Sequence, residues 1–66
     1  MELTQVKKNF HRQVRHLNGG RYRLTGCILR MTPQGEWYYQ AELQDLKAPH
    51  SVLICRLEDI SEGEGA

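Results

Sequence analysis

The chain has 66 residues, 39% hydrophobic and 26% charged, with a formal net charge of +1. That length allows one domain with a small core, and the balance is that of a folded chain rather than a disordered one. No stretch approaches the ~18 apolar residues of a membrane span, and Lys7 and Lys8 interrupt the first apolar run where a secretory leader would continue, so a cytoplasmic protein with no membrane partner is expected.

The charge is divided unevenly. Residues 1–33 carry seven Lys and Arg against Glu2 alone, a balance of +6. Residues 34–66 carry Lys47 and Arg56 against seven carboxylates, a balance of −5. A split of this kind fits either a basic surface for a polyanion or pairing between the two halves. The two cysteines, Cys27 and Cys55, sit in apolar runs without CxxC spacing. They read as small buried hydrophobes rather than as a disulfide or a zinc site.

In chain order, LTQVKKNFHRQVRHLN (3–18) reads as an amphipathic helix. Leu3, Val6, Phe10, Val14 and Leu17 follow i, i+3, i+4 spacing, and the basic residues fall on the other side. Thr4 is the expected cap, and Asn18-Gly19-Gly20 the stop. His11 and His16 would lie about 140° apart on such a helix, too far around to chelate one metal. RYRLTGCILRM (21–31) reads as a strand with a bulge or bend at Gly26. TPQGE is a turn, and EWYYQAELQ (36–44) alternates as a second strand, with Trp37, Tyr39, Ala41 and Leu43 on one face and Tyr38 on the other. DLKAPH is a further turn. SVLICRL (51–57) is a third strand, apolar enough to be buried on both sides, and SEGEGA (61–66) is expected to be a disordered tail.

These elements predict one α+β domain over residues 1–60. An N-terminal helix would cover a small, curved antiparallel sheet. The expected core is Leu24, Ile28, Leu29, Trp37, Tyr39, Ala41, Leu43, Val52, Ile54 and Leu57, joined by Phe10 and Val14.

Over residues 21–60, the succession of GGRYRLTG, a hairpin, a W-Y-x-A-x-L-x-D strand, a V-L-I strand and a closing LEDI resembles a Src-homology-3-like small β-barrel. The segments YRLTGCILR, YYQAELQDL, SVLIC and LEDI are also similar to short uncharacterised proteins of Gram-positive gut bacteria and their mobile elements. The resemblance implies a bacterial cytoplasmic setting and a link to mobile DNA, and it assigns no functional residues. No ALYDY-like stretch is present, so polyproline recognition is not implied.

Two partner classes follow from the residues. Lys7, Lys8, Arg12 and Arg15 on the helix, with Arg21 and Arg23 after it, would meet nucleic-acid phosphates. Tyr38, Gln40 and Arg30 would form a contact for a protein partner or a second copy, with the strand edge or the helix as further docking elements. His50, Ser51 and Asp45 are neighbours in sequence but match no catalytic motif. The expectation is therefore a non-catalytic binding module with no cofactor, metal or small-molecule substrate.

Overall fold

The computed structural model describes residues 1–63. One short helix, α1 (Leu3–Asn9), precedes five strands: β1 (Gln13–His16), β2 (Arg21–Met31), β3 (Trp37–Asp45), β4 (Val52–Arg56) and β5 (Ile60–Glu62). A 3-10 turn over Leu57–Asp59 links the last two. The strands form one antiparallel sheet in the order β4-β3-β2-β1-β5. The fold is thus α+β, as expected, but the sheet is open, with β4 and β5 as its edges.

The helix stops nine residues before the expected end. Its N-cap is Glu2, not Thr4, and the Glu2 amide donates to Gln5 Oε1 at 2.9 Å. Phe10 turns extended and His11 takes φ of 65°, which breaks the helix. The His11 amide donates to Leu24 O at 2.7 Å, and the Leu24 amide donates to Arg12 O at 3.0 Å, so this segment pairs with β2 instead of continuing the helix. Residues 13–16 then form β1. Asn18-Gly19 is a hairpin turn, not a C-cap: the Gly19 amide donates to His16 O, the His16 amide donates to Gly20 O, and Gly19 sits at φ 86°. Thr32 to Glu36 repeats the device, with Gly35 at φ 88°. In each case a tight turn followed by a left-handed glycine matches the twist of the flanking strands.

Asp45 organises the third turn by accepting the Lys47 and Ala48 amides on Oδ1 at 2.8 and 3.2 Å. The 3-10 turn reverses the chain so that β5 pairs with β1. Residues 61 and 62, expected in a disordered tail, belong to this strand. The last part of that expected tail, 64–66, lies outside the described residues.

The core lies on one face of the sheet, called inner here. It contains Val14, Leu24, Ala41, Leu43, Cys55, Leu57 and Ile60, closed by Val6 from α1. Phe10, Leu29, Trp37, Tyr39, Val52 and Ile54, all expected inside, are exposed. Phe10 left the core when the helix ended before it. Val52 and Ile54 project from the opposite face of β4, because Gln44↔Val52 and Glu42↔Ile54 pair across the sheet. Ile28, on that same outer face, is half-buried.

Leu29, Trp37 and Tyr39 lie on the inner face but beyond its cover. β1 reaches β2 only over residues 21–23, and β4 reaches β3 only over 40–44. The pairs Leu29↔Tyr39, Arg30↔Tyr38 and Met31↔Trp37 therefore form a two-stranded ribbon that extends past the core. The molecule is correspondingly elongated, 37 × 24 × 18 Å.

The helix is anchored by a buried polar residue. Asn9 is 1% exposed, and its Nδ2 donates to Gln5 O at 2.7 Å and to Glu62 Oε2 at 2.8 Å. Seven residues are too few for a helix to persist in water alone, so this tie and the burial of Val6 hold α1 in place. The Met1 amine adds donors to Leu57 O and Ile60 O at 2.6 and 3.0 Å.

Candidate functional site

Residues paired in register share a face of the sheet. Tracing the four ladders puts Arg15, Arg21, Arg23, Arg30 and Arg56 all on the outer face. These are all the arginines in the strands. Asp45 and Glu62 lie on the inner face, so Glu42 is the one strand carboxylate among the arginines. Its Oε2 accepts the Thr25 hydroxyl at 3.0 Å. Arg15 and Arg21 are direct cross-strand partners, a juxtaposition of like charge that costs stability where it stands alone. The Arg23 guanidinium donates to His11 O at 2.8 Å, which holds the head of this side chain against the turn after α1.

At the ribbon end, Arg30 Nε donates to Gln40 Oε1. Arg56 lies over the Tyr38 ring, with Cζ 4.5 Å from the centroid, and its Nη1 is 3.6 Å from Glu58 Oε1. Four side chains from three strands thus present guanidinium, phenol and amide groups side by side. Tyr38 is half-buried under the arginine, the amphipathic placement that suits a tyrosine at a contact surface.

The basic residues singled out in sequence do not form a helix face. Lys7 and Lys8 occupy the last turn of α1, which lies over the inner face through Val6 and Asn9. Lys8 Nζ is 3.9 Å from Glu62 Oε2. Arg12 is in the connection to β1, and Arg15, Arg21 and Arg23 are on the sheet. The set is divided because the helix that would have united it ends at Asn9. Of the acidic residues near the C-terminal end, Glu62 reaches Lys8 and Glu58 reaches Arg56, while Asp59 lines a hollow together with Arg15 and Arg21; Glu64 lies outside the described residues. By contrast, Tyr38, Gln40 and Arg30 do come together. Arg56 joins them and was not anticipated, because VLIC ahead of it reads as a strand buried on both sides. The usable signal was its parity with Val52 and Ile54.

Cys27 and Cys55 are free and lie in the ladders on either side of Ala41. Two strand spacings, roughly 10 Å, separate them, beyond the reach of a disulfide. Burial raises both thiol pKa values; at Cys55 the Asp59 charge raises it further, and the N-terminal ammonium opposes this. Among the described residues, no group of three or more His, Cys, Asp or Glu side chains is placed to hold a metal ion, and no helix is long and apolar enough to cross a membrane. The chain shows no significant match to any protein-family model, curated protein or solved structure.

Proposed function

We propose that this chain is a non-catalytic module that binds nucleic acid through the outer face of its sheet. The setting proposed for it is the cytoplasm of a bacterium carrying mobile DNA, from the sequence resemblance. The antiparallel meander, the long β2 with its mid-strand register shift and the 3-10 turn that returns β5 to β1 support a small, open relative of the Src-homology-3-like barrel.

The observation that carries the functional reading is the collection of five strand arginines on one face, with Tyr38 and Gln40 among them. Guanidinium groups suit phosphate oxygens by charge and by their fork of donors. Tyrosine beside arginine suits the face of an unstacked base, and a glutamine amide can meet a base edge.

Five phosphate contacts predict a salt slope of about −4.5 on duplex and about −3.5 on a single strand. Affinity should then fall about 500-fold or about 100-fold, respectively, between 50 and 200 mM salt. Fluorescence anisotropy with a mixed-sequence oligonucleotide, single-stranded and duplex, reads both slopes. The variant R23E/R30E reverses two charges on the face and should abolish binding at 50 mM salt with the circular dichroism spectrum unchanged. The variant K7E/K8E, on the helix, should bind within a few-fold of wild type. Full binding by R23E/R30E, or loss confined to K7E/K8E, defeats the reading.

A further inference from the structure

We infer that two copies of this chain pair through the inner face of the β2–β3 ribbon, with Trp37 as the anchor. This rests on a different surface from the arginine face and does not depend on nucleic-acid binding.

The ribbon presents Leu29 (51% exposed), Met31 (50%), Trp37 (63%) and Tyr39 (37%) as two adjacent cross-strand pairs, Leu29↔Tyr39 and Met31↔Trp37. None is charged. A two-stranded hairpin with an uncovered apolar face is marginal in water, and further strands or a packed layer are what stabilise it. Here the neighbouring strands stop short, and α1 meets the ribbon only through its first residues, beside Trp37 and Tyr39. Single exposed apolar residues are ordinary on protein surfaces; four contiguous ones on one face of a 66-residue chain are not.

The surface is also self-complementary. Trp37 forms one wall of a groove between the start of α1 and the start of β3, whose lining also includes Leu3, Tyr39 and Leu57 and the carboxylates Glu2 and Glu58. A two-fold axis through the ribbon sets the Trp37 wall of each copy against that of the other, the reciprocal contact that an isologous interface requires. Since the apolar patch carries no charge, self-pairing brings no like charges together at its centre. With the half-exposed Leu3, the patch amounts to roughly 500 Å² per copy. A pair therefore buries about 1,000 Å², the lower bound for a specific interface, which points to a weak dimer in the micromolar range or above. The arginine faces would then lie outward on both copies.

Sedimentation velocity and tryptophan emission, measured from 1 µM to 1 mM, test the proposal. The expected result is a monomer–dimer equilibrium, with the emission of Trp37 shifting to the blue as concentration rises. Because Trp37 and Met31 are exposed, Trp37→Glu and Met31→Lys should each remain folded by circular dichroism and stay monomeric throughout. Ile54→Arg, on the outer face of the edge strand β4, should dimerise as wild type does. A wild-type chain that stays monomeric to 1 mM overturns the inference. So does a dimer that persists in Trp37→Glu and Met31→Lys, or one lost in Ile54→Arg, either of which would put the contact elsewhere.

Discussion

Asn9→Ala tests whether α1 is held by its buried amide. The substitution removes two hydrogen bonds, one to Gln5 O and one to the Glu62 carboxylate. A bond between neutral groups contributes about 1 kcal/mol, and one to a charged group about 1.5–3 kcal/mol. Glu62 is half-buried and also faces Lys8, so water and that cation screen it, and the lower end applies. Alanine returns about 0.5 kcal/mol of helix propensity. The net loss is about 2 kcal/mol, a large share of the roughly 3–10 kcal/mol available to a chain of this size. The midpoint of thermal unfolding should fall by about 8–16 °C. Far-UV circular dichroism is the right probe, since Trp37 stands outside the core and reports on it poorly. Glu62→Gln keeps an acceptor without its charge and should cost less. The double variant should lose less than the sum of the two, because both changes act on the same bond. An Asn9→Ala midpoint within 3 °C of wild type would show that burial of Val6 alone positions the helix.

Two further predictions concern the β1–β5 seam and the thiols. At Gly63 an added Cβ would lie 2.6 Å from Gln13 O, so Gly63→Ala must push β5 away from β1, at about 1–3 kcal/mol. Hydrogen exchange should show the amides of the β1–β5 ladder losing protection before those of β2–β3; uniform exchange, or none gained, contradicts the placement. The thiols should react slowly with Ellman's reagent at neutral pH, Cys55 more slowly than the half-buried Cys27, and both at full speed in denaturant. Because burial raises their folded-state pKa values, the neutral thiols contribute stability that is whole below about pH 9 and is lost as pH rises through the folded-state values. Rapid labelling of native Cys55 at pH 7 would refute its burial.

Much of the sheet was legible because its strands alternate. β2 runs over the expected residues, and Tyr38 lies on the opposite face from Trp37 and Tyr39. What alternation cannot reveal is how far neighbouring strands extend. Trp37 and Tyr39 are on the inward face of β3, yet β4 ends opposite Gln40, so facing inward did not mean being buried. The helix was overextended because Val14 fits both periods: it is i+4 from Phe10, and it is also the apolar residue between Gln13 and Arg15. Asn18-Gly19 was the signal that decided between them. An Asn-Gly pair followed by a strand marks a hairpin as readily as a helix end, and the extended partner it needs is β1. β5 was hidden by length, three residues ahead of a glycine-rich end.

The gathering of the arginines has a cause that strand patterns alone conceal. Arg23 and Arg30 are seven residues apart, an odd number, so an unbroken strand would put them on opposite faces. It would also put Arg21 and Arg23 on the same side as Cys27, Leu29 and Met31, mixing charge with apolar surface on one face, while Arg30 joined Tyr22 and Leu24 on the other. The register shift between Leu24 and Gly26 changes the parity. Thr25 takes up the extra position, its hydroxyl donating to Glu42 O and Oε2, and Gly26 leaves room where a Cβ would come within 3.1 Å of Glu42 Cβ. A one-residue shift exchanges every side chain beyond it between faces. Here it sends Arg30 to join Arg21 and Arg23 outside, and it sends Cys27, Leu29 and Met31 to the same side as Leu24. The basic face and the apolar face of the ribbon are therefore two results of the same inserted residue.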